Sequence, residues 1–395
     1  MESPQNIIRN QPFSTSSPTV GIIGGGQLAR MLCISAAQLG VRTLTLERQE
    51  HCPAAAVSTG HQVGDWNDTA TLMQFAQQCD VVTLENNFVD AGTLETLEQR
   101  AFNILPHSGC LKTIQDKVVQ KTALQKLNLP TPRFQAIDSF AELEIVAQEI
   151  GYPCLLKQRH NGYDGKGIAD ISRPAELETA WHQLSGDTKP LYCEAYCDFL
   201  KELAVIICRS ASGAVVRYPV VETIQKDHIC SIVKAPADIP TQVRDEAIRI
   251  AARSVAALGA VGCVAVEMFL TRDHQVLVNE LALRVHNSGH YTIEACFTSQ
   301  FENHIRAVLN WPLGNPDLVK PAAVMFNLLG DAVGTSFPSG VEQALKIDGV
   351  RLHLYAKDAS KVGRKMGHLT VLGDTMPSAL NRAKQAAQAL TFKNP

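Results

Sequence analysis

The sequence lacks the features that mark membrane, secreted and nucleic-acid-binding proteins. No apolar run approaches the ~20 residues that a membrane-spanning helix requires. The first residues, MESPQNIIRNQPFSTSSP, show no basic segment followed by an apolar one, so we expect no signal peptide and read residues 1–17 as a polar tail. The net charge of -3 gives no reason to expect nucleic acid or a membrane as a partner. We therefore predict a cytoplasmic protein.

Paired cysteine motifs are also absent, although the chain contains eleven cysteines. No CxxC pair occurs, and Cys193 and Cys197 have no second Cys or His pair that would complete a zinc site. Several cysteines lie within apolar runs, where free thiols behave as small hydrophobic groups. The pattern favours free thiols in a reducing compartment.

The chain of 395 residues is too long for one compact core, and its length predicts two or three domains. Residues 18–110 alternate apolar strands with helical spacing, beginning with TVGIIGGG, which predicts a small parallel α/β domain. Residues 111–312 change character. A helix over 111–128, ended by Pro130, precedes short strands and glycine-rich turns, including one strand over 214–221, which predicts an α+β domain. Residues 313–395 predict a small β-rich domain closed by a helix.

The glycines at the end of the first strand are open to three interpretations. Gly24 to Ala29 fit the pattern GxGxxA, and Glu47 ends the next strand about twenty residues later, as in dinucleotide-binding units. The same turn could cradle the phosphate of a substrate. It could also be a tight strand-to-helix turn with Glu47 in solvent.

A second glycine-rich segment, Gly162-Tyr163-Asp164-Gly165-Lys166-Gly167, follows a predicted strand that carries Lys157. Three glycines and a lysine in six residues are typical of a mobile loop that folds over polyphosphate. The alternative is an exposed hairpin turn.

Glu267 and Glu280 are predicted to lie together on a hairpin. If Leu270 faces Gln275, then Glu267 faces Val278 and Glu280 is its diagonal neighbour on the same face. Two carboxylates among valines and leucines need a proton or a cation between them. Mg²⁺ with substrate phosphates suits such a pair, while the alternative is a hairpin with both glutamates in water.

Polar donors follow the pair at once, in Arg284-Val285-His286-Asn287-Ser288-Gly289-His290. An arginine fork with amide and imidazole donors is what a small planar anion requires. We expect His290, by contrast, to be a packed core histidine. Glu194 and Glu202, taken alone, read as surface glutamates.

These residues, in the order Lys117, Lys157, GYDGKG, Glu202, Glu267 and NELALRVHNSGHYT, resemble the ATP-grasp enzymes. Together with GRKMGH at 363–368, they resemble within that superfamily the 5-(carboxyamino)imidazole ribonucleotide synthetases of purine biosynthesis. The resemblance implies a preATP-grasp α/β domain, an ATP-grasp domain and a small C-terminal domain, in a homodimer. It also implies ATP-dependent carboxylation of 5-aminoimidazole ribonucleotide by bicarbonate through carboxyphosphate.

The resemblance also implies roles for individual residues. The nucleotide would contact Lys117, Lys157, Gly162, Tyr163, Asp164, Gly165, Lys166, Gly167, Glu194, Ala195, Tyr196, Cys197, Glu202, Gln225, Asn279 and Glu280. Mg²⁺, with Mn²⁺ as the alternative ion, would be held by Glu267 and Glu280. The catalytic groups would be Arg284, His286, Asn287 and Asp164, and the ribonucleotide would contact Gly26, Gln27, Tyr163, Asp164, Lys357 and Arg364.

The sequence departs from the family pattern at four places: Leu283 replaces a proline, Gln225 a histidine, Lys361 an arginine, and the hinge reads Glu-Ala-Tyr-Cys. None of these removes a proposed metal ligand, so we predict an active enzyme. The alternatives are a ligase that activates formate or another carboxylate, an NAD-dependent oxidoreductase, and a binding protein that keeps only the nucleotide fold.

Overall fold

The computed structural model describes residues 8–9, 17–160, 162 and 166–392. The first unit has strands β1 (Ile8–Arg9), β2 (Thr19–Ile23), β3 (Arg42–Glu47), β4 (Gly60–Val63) and β5 (Val81–Leu84), with helices α1 (Gln27–Gln38), α2 (Thr69–Ala76) and α3 (Ala91–Gln99). The sheet order is β1-β4-β3-β2-β5, and all pairs except β1–β4 are parallel. Every residue of β2 and β5 is buried, as expected where helices cover both faces. The predicted parallel α/β domain is confirmed.

Two helices, not one, follow this unit. They are α4 (Ser108–Gln115) and α5 (Lys117–Lys126), and Asp116 lies between them in an extended conformation. The carboxylate of Asp116 accepts hydrogen bonds from the amides of Val118 and Val119 and so caps α5. The predicted single helix over 111–128 is therefore wrong, because this aspartate bonds to the backbone in place of the helical ladder.

A small antiparallel sheet comes next. Its elements are β6 (Phe134–Ile137), α6 (Phe140–Ile150), β7 (Cys154–Gln158), β8 (Ile168–Ile171), a 3₁₀ turn at Pro174–Glu176, α7 (Leu177–Gln183) and β9 (Leu191–Ala195). The strand order is β6-β9-β7-β8. Both helices contribute to its separate core, in which Leu143 of α6 and Trp181 of α7 are buried with Leu156 of β7.

A nine-stranded antiparallel sheet forms the largest unit. Its first part has β10 (Phe199–Arg209), β11 (Val215–Arg217), β12 (Val221–Lys226), β13 (Ile229–Ala235), α8 (Thr241–Leu258), β14 (Gly262–Thr271) and β15 (Val276–Ala282). It continues with a 3₁₀ turn (Asn287–Gly289), α9 (Thr292–Ala295), α10 (Gln300–Val308), β16 (Ala322–Leu329), α11 (Val341–Leu345), β17 (Val350–Leu354), β18 (Lys365–Gly373) and α12 (Met376–Ala389). The order is β15-β14-β10-β12-β13-β16-β18-β17, with β11 beside β10.

One predicted strand, over residues 214–221, is divided in the structure into β11 and β12. Both pair with β10, but at different places along it. Pro219 lies between them and has no amide hydrogen to give to a sheet. The prediction of one continuous strand is therefore wrong.

The C-terminal strands extend the same sheet, since β16 pairs with β13 through Ile232 opposite Phe326. The first unit docks on the other side, where α1 packs on α10 and the hydroxyl of Thr83 lies 2.8 Å from Nε2 of His304. Residues from three distant stretches of chain are thereby brought to one face. Within the described residues, no helix is long and apolar enough to cross a bilayer.

Candidate active site

The two glutamates of the β14–β15 hairpin lie directly opposite each other. The prediction that Glu267 would face Val278 is wrong, because Glu267 pairs with Glu280. A bulge immediately after Glu267 leaves Asn279 as an extra residue on β15. The extra residue turns Glu280 to the face of Glu267, so the predicted proximity of the two carboxylates is confirmed.

The turn of this hairpin is also tighter than predicted. Leu270 pairs with Val276 rather than with Gln275, because Thr271 still bonds to the carbonyl of Gln275 at 2.9 Å. The loop thus has three residues and ends at His274, which has φ of 63°. A left-handed residue closing a three-residue loop is a common hairpin geometry. The turn shifts the register by one residue and the bulge shifts it by another.

Each carboxylate of the pair has a basic partner. The ammonium group of Lys117, the first residue of α5, contacts Glu280. Nε2 of His286 lies 2.9 Å from Glu267, and Nδ1 of the same ring accepts the amide hydrogen of Ser288 at 3.3 Å. Nε2 therefore carries a hydrogen and donates it to Glu267. Burial raises the pKa of Glu280, but Lys117 outweighs burial and lowers that pKa overall. Glu280 therefore presents ionised oxygens at this site.

A buried charge cluster lies beside the pair. Glu194 is 1% exposed and contacts Lys121 at 2.6 Å and Lys157 at 2.5 Å. Lys121 also donates to the carbonyl of Asn279, at 3.1 Å. Burial raises the pKa of Glu194, but the two lysines outweigh it and lower that pKa. The side chain of Glu194 is thus an internal counter-ion, and only its backbone remains for the predicted adenine hinge.

Lys121 was missed by sequence reasoning, although a signal for it exists. It follows Lys117 by four residues on α5, so both side chains lie on one face of the helix. The bulge residue Asn279 brings β15 to that face through its carbonyl. Helical spacing from a suspected phosphate-binding lysine would therefore have identified the second lysine.

Glu202 lies on the same sheet face as the carboxylate pair. Burial raises the pKa of Glu202 to about 7, a hydrogen bond from Gln225 opposes this shift, and the charge of Glu267 adds to it. Among the described residues, Oε2 of Glu202 has no hydrogen-bond partner. A buried carboxyl oxygen without a donor is suited to a hydroxyl group of a ligand.

The connection from β9 to β10 forms the edge beyond Glu202. Ala195 ends β9, and Tyr196 and Cys197 lie in the connection, with Tyr196 half exposed. The rings of Phe199 and Phe269 stack with centroids 4.9 Å apart. Phe269 is the cross-strand partner of Glu202, so a flat apolar surface lies next to that carboxyl group. Sequence reasoning missed this pair of rings.

The loop over residues 284–290 is held rigidly. Gln300 of α10 grips the backbone of His286 from both sides, since its oxygen accepts from the amide at 2.9 Å and its nitrogen donates to the carbonyl at 2.7 Å. A Cβ atom on Gly289 would lie 2.2 Å from the side chain of Ile206, so any larger residue there would force its neighbours to move. Leu283, where a proline is common in the family, is fully buried and anchors the start of the loop.

The side chains of Asn287 and His290 of this loop are buried. The side-chain amide of Asn287 pairs reciprocally with that of Asn327 on β16. His290 is fully buried, and burial, followed by the charge of His286, lowers its pKa well below the ordinary value. The expectation of a packed core histidine is confirmed.

The backbone amides of the N-terminal glycine turn are hydrogen-bonded to carboxylates of the protein, so they do not form an open site for an anion. The amide of Gly25 donates to Glu47 at 3.0 Å, and that of Gly26 donates to Glu85 at 2.8 Å. A Cβ atom on Gly26 would lie 2.3 Å from Glu85. These contacts leave little room for a phosphate at the turn, which is followed by Gln27 as the first residue of α1.

Glu85 links this turn to the rest of the site, and sequence reasoning missed it. Burial raises the pKa of Glu85 to about 7, the Gly26 amide and the charges of Arg284 and Lys357 oppose this shift, and Glu47 adds to it. The pKa of Glu85 therefore depends on a charge as far as 272 positions away along the chain. No local sequence pattern signals such a dependence.

Lys357 and Arg364 lie in the connection between β17 and β18, and the charge of Lys357 acts on Glu85. The ammonium group of Lys357 donates to the carbonyl of Lys365 at 2.6 Å, and the guanidinium group of Arg364 donates to the carbonyl of Ala359 at 2.8 Å. Each side chain is half-buried. Lys361, another of the departures from the family pattern, is exposed.

The glycine-rich loop after β7 is described only in part. Gly162 is half-buried, Lys166 is exposed, and Gly167 has φ of 81°, a conformation that favours glycine. Tyr163, Asp164 and Gly165 lie outside the described residues. Their predicted contacts with nucleotide and ribonucleotide therefore stay predictions.

No group of three or more His, Cys, Asp or Glu side chains suited to a metal ion occurs in the part of the chain that the structure describes. All eleven cysteines are free thiols, and Cys193 is buried. The two-carboxylate set nevertheless fits Mg²⁺, which commonly takes one or two carboxylates and completes its shell with phosphates and water.

Comparison with known proteins places these features in one family. The ribonucleotide synthetase preATP-grasp domain matches residues 18–115, the ATP-grasp domain matches 122–301, and the phosphoribosylaminoimidazole carboxylase C-terminal domain matches 323–382. N5-carboxyaminoimidazole ribonucleotide synthase of Synechococcus elongatus is 42% identical over 372 residues, which cover 94% of this chain and 93% of that protein. The chain belongs to the N5-carboxyaminoimidazole ribonucleotide synthase family.

Solved structures agree with this assignment. The N5-carboxyaminoimidazole synthase of Aspergillus clavatus, in complex with ADP and 5-aminoimidazole ribonucleotide, superposes with a TM-score of 0.87 at 36% identity and covers 94% of this chain and 98% of that chain. Chloroplastic phosphoribosylaminoimidazole carboxylase of Vigna aconitifolia is 40% identical, but the chain spans only 65% of its length. The predicted membership of the N5-carboxyaminoimidazole ribonucleotide synthase family, with its ATP-grasp fold, is confirmed.

Proposed function

We propose that the protein carboxylates the amino group of 5-aminoimidazole ribonucleotide, using ATP and bicarbonate, in purine biosynthesis. The products are 5-carboxyaminoimidazole ribonucleotide, ADP and phosphate. The observation that carries the proposal is the junction of β15 with the 284–290 loop. There, the Glu267–Glu280 pair, whose oxygens suit Mg²⁺ and nucleotide, comes directly before the loop that supplies arginine and histidine donors for a small anion, and Glu267 contacts His286 of that loop.

The nucleotide lies between the small sheet and the large one in this proposal. Positive charge for the phosphates comes from three lysines, Lys117, Lys121 and Lys157. Glu202 accepts the ribose hydroxyl hydrogens with its unpartnered oxygen, and Phe269 lies beside it. Backbone groups of residues 194–197 read the adenine edge, and Gly162–Gly167 close over the phosphates and exclude water.

Glu267 and Glu280 would hold Mg²⁺, with Mn²⁺ as the alternative ion. When bound, the ion supplies neutralisation of charge on the transferring phosphoryl group. Lys117 adds positive charge through its contact with Glu280. His286 donates to Glu267 and so fixes the orientation of that carboxylate.

Bicarbonate is a poor electrophile, so ATP first converts one of its oxygens into a phosphate leaving group. Arg284 and His286 lie where they can position bicarbonate and the carboxyphosphate made from it, with an amide donor from Asn287. The amine then attacks carboxyphosphate or the CO₂ that it releases. Tyr163 and Asp164, which lie outside the described residues, would contact the aminoimidazole in this proposal.

The proposal assigns the ribonucleotide phosphate to Lys357 and Arg364, and further contacts with the ribonucleotide to Gly26 and Gln27. The amides of the turn already donate to Glu47 and Glu85, so they are not available to a phosphate. In this proposal the two carboxylates instead accept hydrogen bonds from the ribonucleotide. The same contacts argue against an NAD-dependent oxidoreductase, since a pyrophosphate at the turn would meet two carboxylates.

A coupled assay of ADP release tests the substrate assignment. We expect release to depend on both bicarbonate and 5-aminoimidazole ribonucleotide. Formate in place of bicarbonate, or another amine in place of the ribonucleotide, should leave only background release. Equal rates with formate would instead favour the second candidate, a formate-activating ligase, and tight MgATP binding without turnover would favour a binding protein.

Glu280→Gln tests the metal assignment within the same assay. The substitution removes a charged ligand with little change of shape, so we expect ADP release to fall by about 10²-fold or more. Glu95→Gln, on the exposed face of α3, is the matched control. Wild-type turnover at every Mg²⁺ concentration in the Glu280 variant would contradict the assignment.

We also propose a homodimer in the cytoplasm. The eleven free cysteines fit a reducing compartment. The dimer is inferred from the family resemblance.

A further inference from the structure

Asn287 is paired with a partner that the proposed function does not use. Its Nδ2 donates to Oδ1 of Asn327 at 3.0 Å, and its Oδ1 accepts from Nδ2 of Asn327 at 2.6 Å. The two side chains are 8% and 3% exposed. The pair links the 284–290 loop to β16, on the C-terminal part of the sheet.

A third contact fixes the orientation of this amide pair. Nδ2 of Asn327 also donates to the backbone carbonyl of Cys230 on β13, at 2.7 Å. If the Asn327 amide were reversed, its oxygen would face that carbonyl oxygen, and two buried acceptors would meet without a hydrogen. The carbonyl of Cys230 therefore determines which atom of Asn327 is the donor.

The orientation of Asn327 in turn sets that of Asn287. Both hydrogens of Asn327 are used, one on Cys230 and one on Asn287. Asn287 must therefore place its oxygen against Asn327, and its nitrogen keeps one hydrogen beyond the one given to Asn327. A reversed Asn287 would offer an acceptor where the proposed anion needs a donor.

The backbone of the loop is held by a separate device. Gln300 binds both the amide and the carbonyl of His286, and it does so without Asn327. Gly289 packs tightly against Ile206. Removal of Asn327 should thus free the side chain of Asn287 while the loop keeps its path.

We infer that Asn327 is a positioning residue, which turns the amide of Asn287 so that an N–H, and not the carbonyl oxygen, faces bicarbonate. The inference rests on the proposed placement of bicarbonate beside Arg284 and Asn287. Asn327 itself would touch neither bicarbonate nor ATP. Its loss should change the KM for bicarbonate and not the KM for ATP, because only bicarbonate depends on the orientation of the Asn287 amide.

The test compares Asn287→Ala, Asn327→Leu and the double variant in CO₂-depleted buffer, with ADP release measured against bicarbonate concentration. We expect each single variant to raise the KM for bicarbonate about tenfold, which corresponds to about 1.4 kcal/mol. The KM for ATP should stay within about twofold. In the Asn287→Ala background, Asn327→Leu should add no further increase, since the orienting residue then has nothing to orient.

Two further variants separate positioning from a general effect on the sheet. Thr370→Val changes a buried polar residue of β18 that is not part of the amide pair, and it should leave the KM for bicarbonate unchanged. Asn327→Asp keeps the side-chain shape if Asn327→Leu does not fold, and its second oxygen repels both Cys230 and Asn287 in the present orientation. We expect it to raise the KM for bicarbonate as well.

The outcomes separate two claims, the positioning role of Asn327 and the placement of bicarbonate beside Asn287. If Asn287→Ala raises the KM for bicarbonate but neither folded Asn327 variant does, the positioning role is wrong and the anion placement stands. If Asn287→Ala leaves that KM unchanged, the anion placement is wrong and the inference falls with it. A loss of kcat that merely follows a lowered melting temperature, with both KM values unchanged, would also overturn positioning.

Discussion

At the scale of single residues, buried charges define this site. Glu194 lies between Lys121 and Lys157, and Glu280 lies against Lys117, so carboxylates hold the lysines that the nucleotide would need. Such pairs add little net stability, because desolvation offsets attraction, but breaking one leaves a charge stranded. Their arrangement keeps positive charge in place before ATP arrives.

Glu194→Gln should lower the free energy of unfolding by about 3 kcal/mol, because it leaves two buried lysines without a counter-ion. Lys121→Met should cost less, since Glu194 keeps Lys157 at 2.5 Å. Urea unfolding of both variants measures the difference. Equal losses in the two variants would contradict the view that Glu194 is the central counter-ion.

Glu85→Gln should stabilise the protein at high pH. The pKa of Glu85 is raised to about 7 from 4.5, chiefly by burial. The folded state therefore holds this proton more tightly than the unfolded state, and the stability it contributes is lost as pH rises through 7. The variant does not titrate, so its advantage should grow from pH 5 to pH 8 and reach ~2 kcal/mol.

Urea unfolding across that pH range checks the prediction, with Glu50→Gln as an exposed control that should follow the wild type at every pH. An advantage of Glu85→Gln that is the same at pH 5 and pH 8 would show that this carboxyl group does not titrate near 7.

At the scale of elements, small irregularities place the functional groups. The bulge at Asn279 turns Glu280 toward Glu267, and Asp116 divides one helical stretch so that Lys117 begins a new helix. Alternation along a strand predicts that both glutamates lie on a sheet face, but it cannot predict an extra residue. The bulge depends on tertiary contacts such as that of Lys121 with the Asn279 carbonyl.

Gly289→Ala should displace the 284–290 loop. An added Cβ would lie 2.2 Å from Ile206 and 2.6 Å from the side chain of Gln300, and overpacking of this kind costs about 1–3 kcal/mol. We expect thermal unfolding at lower temperature and a raised KM for bicarbonate. Gly109→Ala, within α4 and with no atom within 4 Å, should be neutral or stabilising. Wild-type values for Gly289→Ala would contradict the tight packing of this loop.

At the scale of the whole molecule, one site is assembled from three regions of chain. Glu85 belongs to the first unit, Arg284 follows β15, and Lys357 precedes β18, yet the charges of Arg284 and Lys357 both lower the pKa of Glu85. The pairing of β16 with β13 makes the C-terminal strands part of the central sheet. The boundaries 18–110, 111–312 and 313–395 stay predictions about domains.

The proposed homodimer predicts a sedimentation velocity mass of twice the 43.0 kDa of the chain. Dilution over about 10²-fold should leave that mass unchanged if the interface is of standard size or larger. A single species at the chain mass at all concentrations would rule the homodimer out.

The sequence by itself determined the family, the parallel α/β unit, the carboxylate pair and the run of anion donors. These follow from local spacing, since strand alternation and motif order are readable without a structure. Tertiary structure alone decided that Glu85, Gln300 and Asn327 hold the site, because each contacts residues 14 to 59 positions away along the chain. It also decided that Glu194 is a counter-ion and that the glycine turn carries carboxylates. The physical reason is that burial and charge pairing depend on which distant side chains meet.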